Sequence, residues 1–260
     1  MTEAVGTEAV VTEAAVTEAV RVAGLSHSFK NLDVLKNVDI TVQKGEFVSI
    51  VGPSGSGKST LFHLIGGVLT PTAGTIEING AKARRGQIGY MPQQPALMPW
   101  RTIEKNVVLA QEIAGKADIA LAREWLSKVG LDGFATKYPH ELSGGMQQRV
   151  AFLRALLSDQ ELLCLDEPFS ALDAMTRLEM HRWLLDIWEG NRRAVLFVTH
   201  NIEEALLLSD TVYVFSSRPA TVIEKVTVPF GRPRRDDVVD DPDFVKLRRR
   251  LTDLLTGSPR

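Results

Sequence analysis

The stretch that decides the fold is Gly52-Pro53-Ser54-Gly55-Ser56-Gly57-Lys58-Ser59-Thr60. It fits the phosphate-binding loop pattern, in which a glycine, four variable residues and a second glycine precede Lys and Ser or Thr. An apolar run lies before it at residues 47–51, and a helical pattern follows from Ser59 to Gly66. Glycines let the backbone turn tightly, so that successive N–H groups and the helix N-terminus surround phosphate oxygens. The whole loop is therefore predicted to bind a nucleotide phosphate.

Two side chains of this phosphate loop carry separate chemistry. Lys58 is expected to contact the β- and γ-phosphates of the nucleotide, and the Ser59 hydroxyl is expected to bind Mg²⁺. Taken alone, the loop indicates no particular reaction, because kinases, GTPases and motor ATPases all carry it.

The carboxylates that act with the phosphate loop are predicted in the segment Leu162-Leu163-Cys164-Leu165-Asp166-Glu167. A buried strand carries Asp166 to its carboxyl end, the edge at which open α/β sheets bind ligands. Asp166 is expected to hold Mg²⁺ through water. Glu167 follows immediately and points in a different direction, which suits a general base that polarises the attacking water.

A second phosphate site is predicted at Leu142-Ser143-Gly144-Gly145-Met146, directly before a helical pattern. Ser143 caps that helix, and Gly144 and Gly145 leave N–H groups exposed at its N-terminus. One γ-phosphate needs only one phosphate loop. The second terminus therefore suggests a nucleotide that is sandwiched between two chains.

These motifs together resemble those of the ABC ATPases. Residues 142–146 are similar to the signature motif of that family, with Met146 where glutamine is commonest. The resemblance implies a catalytic role for Gln93, which lies between the subdomains and also binds the metal, and for His200, the switch histidine at the γ-phosphate. It implies that Phe29 stacks on adenine, and it identifies Ser170-Ala171-Leu172-Asp173 as the D-loop. The resemblance covers roughly residues 22–216, and it implies that the cofactors are ATP and Mg²⁺.

The expected fold class is α/β: a P-loop ATPase core with an antiparallel β-subdomain and an inserted helical subdomain at about residues 94–150. Helices are predicted over residues 102–130 and 146–158, and a β-hairpin over residues 74–80. The acidic Thr-Glu-Ala repeats of residues 1–20 predict a tail outside the ATPase domain, which takes up residues 21–260. Apolar residues at helical spacing predict an amphipathic helix at about residues 242–256.

The segment from Gln93 to Val107 and the segment from Ser217 to Ile223 resemble those of bacterial importer ATPases for nitrate, sulfonates and taurine. This resemblance implies a second copy of the chain, a transmembrane permease and a substrate-binding protein as partners. Importer ATPases for bicarbonate or pyrimidine precursors share much of the same sequence in these segments, so the resemblance also allows those cargoes. A non-transport ABC ATPase is the alternative class, although such proteins usually carry a long coiled coil or two cassettes.

Charge, cysteine content and hydropathy limit the partners and the cellular location expected for the protein. The formal net charge of −2 provides no field that would recruit nucleic acid. Cys164 is the only cysteine, so an intramolecular disulfide is excluded, and its apolar neighbours favour a buried, inert thiol. No apolar run reaches the roughly 18 residues that span a bilayer. The expected location is the cytoplasmic face of the cell membrane, held there by the permease.

Overall fold

The computed structural model describes residues 18–257 of the chain. The strands in that range are β1 (Glu18–Phe29), β2 (Leu32–Gln43), β3 (Phe47–Val51), β4 (Ala73–Ile78), β5 (Ala81–Lys82), β6 (Ile88–Met91), β7 (Leu162–Asp166), β8 (Ala194–Thr199), β9 (Thr211–Phe215) and β10 (Val222–Thr227). The helices are α1 (Lys58–Ile65), α2 (Ile103–Val107), α3 (Leu109–Ile113), α4 (Ile119–Lys128), α5 (Gly144–Leu156), α6 (Ala174–Gly190), α7 (Ile202–Leu208) and α8 (Pro242–Thr256).

The larger sheet has the strand order β10-β9-β3-β8-β7-β6 in the described part of the chain. Its strands are parallel except for β10, which runs antiparallel to β9 at one edge. Strands β3, β7, β8 and β9 are buried along their whole length, as expected for a parallel sheet covered on both faces. Parallel strands end at one edge of the sheet, so the phosphate loop, Asp166 and Thr199 come together there.

A smaller antiparallel sheet with the order β2-β1-β4-β5 covers one face of the larger sheet. Central strand β1 pairs with both neighbours, and Val22 lies opposite Ile40 on one side and Ile76 on the other. Apolar side chains from this sheet and from α1 form one core with Cys164 and Leu196 of the larger sheet. Helix α1 is thereby held between the two sheets, which fixes the loop that precedes it.

On the opposite face of the larger sheet, apolar side chains of α2, α4, α5 and α6 form a second core with Phe47 and Phe197. The stretch of residues 102–130, predicted as helical, is divided into three short helices, α2, α3 and α4. Val108 leaves helical geometry between α2 and α3, and Gly115 adopts φ +72° shortly after α3 ends. Asp118 then caps a new helix by accepting a hydrogen bond of 2.9 Å from the Leu121 N–H.

Both ends of the described range differ in how they attach to the body. Strand β1 begins at Glu18, so the tail predicted over residues 1–20 extends too far: Ala19 and Val20 are buried in the small sheet. Residues 1–17, the rest of that predicted tail, lie outside the described residues. Helix α8 buries Phe244 and Leu251 against α7 and β9.

Within residues 18–257, no helix has both the length and the apolar character needed to cross a membrane.

Candidate active site

The phosphate loop joins buried β3 to α1, and its glycines are required by close packing. Gly57 has φ +102° and immediately precedes α1. A Cβ atom on Gly57 would lie 2.6 Å from Cγ1 of Val34, and one on Gly52 would lie 2.9 Å from Cβ of Phe215. Both approaches are closer than carbon atoms can pack. A side chain at either glycine would push the loop away from the body and from the phosphate position.

Lys58 closes this loop on itself. Its ammonium group donates hydrogen bonds of 2.9 Å to the carbonyl oxygens of Gly52 and Pro53. The side chain is buried, and burial lowers the pKa of Lys58, while the nearby charges of Glu167 and Asp166 oppose that shift. The cation is thus held at the mouth of a loop whose N–H groups can surround an anion.

Asp166 ends β7 close to Ser59, which is the first half of the predicted metal site. Burial raises the pKa of Asp166 above its ordinary value, and the hydrogen bond from the Ser59 hydroxyl only partly offsets this. Mg²⁺ prefers oxygen ligands and takes few of them from protein when phosphates supply the rest. A hydroxyl and a carboxylate already in contact fit that requirement, and a divalent cation would relieve the cost of the buried charge.

Glu167 lies between the two other residues with predicted catalytic roles. Its Oε2 accepts a hydrogen bond of 3.2 Å from Nε2 of Gln93 and lies 3.3 Å from Nδ1 of His200. Gln93 follows β6 and His200 follows β8, so three strand ends converge on one carboxylate. Glu167 itself has φ +47°, a left-handed conformation that is costly for a residue with a side chain. Such strain concentrates at functional positions.

A cavity of about 340 Å³ joins Gln93 and Glu167 to the phosphate loop. It is lined by Phe29, Leu32, Val34, Ser54, Gly55, Gly57, Lys58, Ser59, Thr60, Gln93, Glu167 and Arg218. Phe29 is 45% exposed at its rim, with its ring perpendicular to that of His27 at 4.7 Å, so part of the Phe29 ring is accessible to a flat base. A larger cavity of about 620 Å³ shares none of these residues and lies away from the catalytic side chains.

The second predicted phosphate site is formed but lies elsewhere. Ser143 caps α5 by accepting a hydrogen bond of 3.3 Å from the Met146 N–H. A Cβ atom on Gly144 would meet nothing within 4 Å, so this helix N-terminus opens outward. Ser143, Gly144 and Gly145 are not among the residues that line the 340 Å³ cavity. The chain therefore does not bring its two predicted phosphate sites together by itself.

Two residues of this region carry no role in the sequence analysis. Gln148 of α5 is buried and bridges to the catalytic edge: Nε2 donates to the carbonyl oxygen of Glu167 at 3.3 Å, and Oε1 accepts from the Ala171 N–H at 3.2 Å. It links the helix after Ser143 to the D-loop. Arg218 contributes a guanidinium group to the nucleotide cavity. Neither could be found from local pattern, because each acts through a contact distant in the chain.

The parallel sheet, the glycine-rich loop between β3 and α1, and the carboxylates at the end of β7 define a P-loop nucleotide hydrolase. More narrowly, the chain belongs to the ABC transporter family, whose family model matches residues 35–170. It is an ATPase that uses ATP and Mg²⁺.

Three similar proteins support this assignment. The formylaminopyrimidine import ATP-binding protein of Halalkalibacterium halodurans is 48% identical over 200 residues, which are 75% of this chain and 78% of that protein. The nitrate import ATP-binding protein of a Synechocystis species is 41% identical over 234 residues, 86% of this chain and 88% of that one. A solved dimeric ATP-binding cassette in a post-hydrolysis state, bound to ADP and phosphate, has a TM-score of 0.72 and 31% identity, covering 82% of this chain and all of its own.

Proposed function

We propose that the chain is the ATP-hydrolysing subunit of a bacterial ABC importer that takes up a small anion such as nitrate, a sulfonate or taurine. The observation that carries the proposal is the carboxylate of Glu167, held between Gln93 and His200 at the edge of the phosphate-loop cavity. A hydrolase needs a base at the place where water meets the γ-phosphate. This arrangement supplies one beside the phosphate-binding lysine.

Each residue of the site has its own role in the proposed hydrolysis of ATP. Glu167 accepts the proton of the attacking water, and His200 holds that carboxylate and contacts the γ-phosphate. Lys58 and the loop N–H groups neutralise charge that develops on the phosphate oxygens. Ser59, Asp166 and Gln93 would hold Mg²⁺, which would supply further charge stabilisation when bound. Phe29 stacks on the adenine ring.

The functional unit is a dimer of two such chains arranged head to tail. Ser143 to Gly145 form an outward-facing phosphate site that the chain's own cavity does not use. A second copy, placed opposite, would bring that helix terminus onto the γ-phosphate bound at Lys58. ATP then binds the closed dimer better than ADP does, so hydrolysis reopens it.

Transport requires a membrane partner, and the helical region offers a surface for one. Trp100 is 73% exposed and Ile113 is 82% exposed, both in the segment that follows Gln93. The ion pair between Arg101 and Glu112 links the two segments that carry these side chains, and a joint apolar surface there would suit a protein contact. We place the permease there, with the chain at the cytoplasmic face of the membrane and a substrate-binding protein on the other side. Closing of the dimer would pull this surface and move the permease helix.

The test is cargo-dependent ATP hydrolysis by the assembled transporter. The chain is co-purified with the permease that it binds and with the substrate-binding protein, and all are placed in lipid vesicles. Nitrate, an alkanesulfonate and taurine are then compared as stimulants of ATP hydrolysis. Stimulation of at least severalfold by one of them is expected. Failure of the chain to associate with any permease would contradict a role in transport.

A pyrimidine precursor is the second candidate cargo. The observation that favours it is the relative that imports formylaminopyrimidine, which shares 48% identity with this chain. The ATPase does not touch the cargo, so its residues bear on cargo only through ancestry. Adding a formylaminopyrimidine to the same vesicle experiment separates the two candidates.

A further inference from the structure

The loop of residues 216–221, which joins β9 to β10, is anchored beside the nucleotide cavity. Ala220 is fully buried, donates its N–H to the Val34 carbonyl oxygen and accepts from the Lys36 N–H, both at 2.9 Å. Ser216 Oγ accepts from the Thr221 N–H at 2.9 Å, which closes the loop internally. Val34 itself lines the nucleotide cavity. The loop is therefore positioned by the same strand that forms one wall of the site.

Arg218 extends from this anchored loop onto the phosphate loop. Its Nε donates a hydrogen bond of 2.9 Å to the carbonyl oxygen of Gly55, and a second guanidinium nitrogen donates to the same oxygen. Gly55 has φ +75°, which glycine adopts freely among other conformations, so the contact with Arg218 helps to fix the orientation of its carbonyl. A guanidinium carries five N–H donors, and this contact uses two of them. The others can serve an anion in the cavity that Arg218 lines.

A second cation in the site would offset negative charge that Lys58 alone does not neutralise. Lys58 faces the carboxylates of Asp166 and Glu167, and its own pKa is lowered by burial. A nucleoside diphosphate or triphosphate brings several further negative charges into the same cavity. Arginine is suited to this task because it stays charged and binds phosphate oxygens with a planar fork.

We propose that Arg218 is a nucleotide-binding residue, which fixes the Gly55 carbonyl and donates to the α- or β-phosphate of ATP and ADP. This inference rests on the proposed assignment of the nucleotide site to the Phe29–Lys58 cavity. Gly55 lies on the loop before Lys58, whereas Asp166 and Glu167 lie beyond it, where hydrolysis takes place. Arg218 therefore acts on the part of the nucleotide that ADP and ATP share.

The experiment measures the dissociation constants of MgADP and of a non-hydrolysable β,γ-imido ATP analogue by titration calorimetry on the full chain. For Arg218→Ala, both constants are expected to rise by about tenfold, the order of a lost charge-assisted hydrogen bond. With ATP, KM should rise similarly while kcat at saturation stays within about twofold, since the γ-phosphate contacts remain. Arg218→Lys, which keeps the charge without the fork, should recover part of the affinity.

Two control variants make each outcome informative. Lys225→Ala removes an exposed cation from β10 of the same hairpin and should leave both constants unchanged. Lys58→Ala should abolish tight binding; if it does not, the nucleotide site itself is misplaced. Unchanged constants in Arg218→Ala beside a strong effect of Lys58→Ala would overturn only the role of Arg218. A loss confined to the ATP analogue would also overturn it. Thermal melting identifies any variant that unfolds, in which case the folded Arg218→Lys decides.

Discussion

At the scale of single residues, Glu167 concentrates the chemistry and the strain of the site. It follows β7 with φ +47°, and its backbone N–H still donates to the Val198 carbonyl oxygen at 2.9 Å. That hydrogen bond and the two side chains around its carboxylate hold the unfavourable conformation in place. Strain of this kind costs of order 1–3 kcal/mol and persists only where neighbouring structure enforces it.

The first prediction concerns the base itself. Glu167→Gln keeps the shape of the side chain but removes its ability to accept a proton, so kcat should fall by roughly 10²–10⁴-fold. ATP binding should survive, because the phosphate loop and Phe29 are untouched. Steady-state phosphate release and nucleotide titration measure the two effects. Unchanged turnover in the purified variant would exclude Glu167 as the base.

The second prediction follows from the buried carboxylate of Asp166. Burial raises its pKa in the folded chain, so the folded state binds this proton more tightly than the unfolded state does. Its contribution to stability is therefore greatest below the unfolded pKa of about 4 and declines as pH rises through the higher folded value. Asp166→Asn should raise the Tm of the chain at neutral pH without nucleotide or Mg²⁺, and the gain should vanish at low pH.

Differential scanning calorimetry across that pH range tests the claim. Asp132→Asn, a change at an exposed surface carboxylate, is the matched control and should leave the Tm unchanged. A lower Tm for Asp166→Asn at neutral pH would mean that attraction to Lys58 outweighs the cost of burial. The same variant should lose Mg²⁺-dependent hydrolysis.

At the scale of elements, a buried polar network joins α6, β8 and α7 behind the catalytic edge. The Glu204 carboxylate of α7 lies 2.7 Å from Nε2 of His181 on α6 and accepts from the Thr199 hydroxyl at the end of β8. Thr199 Oγ1 also accepts from the Asn201 N–H at 3.0 Å. His200 lies between Thr199 and Asn201, so the network fixes the turn that presents the His200 side chain.

The third prediction tests that network. Glu204→Ala leaves a buried histidine and a buried hydroxyl without their acceptor, so the free energy of unfolding should fall by about 2–4 kcal/mol. The kcat should fall too, because the turn that carries His200 loosens. Urea unfolding and turnover provide the measurements. Glu203→Ala is the control: its side chain is 44% exposed, against 6% for Glu204, and should cost under about 1 kcal/mol.

At the scale of the whole molecule, the two predicted phosphate sites of one chain are separate. Lys58 begins α1 and lines a cavity that Ser143, the cap of α5, does not line. In the proposed mechanism, a complete site then requires two chains. The dimer is the smallest unit in which each nucleotide meets both kinds of helix terminus.

The fourth prediction is that defects in the two sites complement each other. Ser143→Arg should fill the outward-facing site with a long side chain, and Lys58→Ala should disable the phosphate loop. Each homodimer should be nearly inactive. A mixed dimer has one site with both defects and one with neither, so mixing should restore up to about half of the activity per mixed dimer if the sites act independently.

Coupling between the sites could suppress that recovery, so assembly is measured in parallel. Sedimentation of Glu167→Gln with saturating ATP and Mg²⁺ should show a dimer, because binding occurs without reopening by hydrolysis. A chain that stays monomeric and shows no rescue on mixing would contradict the shared site. The phosphate-loop assignment would survive that result.

Sequence alone determined the parts of this protein that are encoded within about ten consecutive residues. The loop from Gly52 to Thr60, the strand that carries Asp166, and the Ser143 cap all follow local rules of turn, strand and cap chemistry. The breaks between helices were harder to predict: the pattern over residues 102–130 predicts helical structure, but it does not show that Gly115 and the cap at Asp118 divide the stretch. Apolar periodicity persists across such breaks, so it does not locate them.

Only the tertiary structure decided which distant residues meet at the site. Arg218 reaches Gly55 across 163 positions, and Glu204 meets His181 across 23. These contacts arise because parallel strands bring their carboxyl ends to one edge and a hairpin folds back onto β2. Local sequence sets the conformation of each segment, whereas the packing of sheets and helices sets the distances between segments. The phosphate loop could therefore be recognised from its residues, and the guanidinium beside it could not.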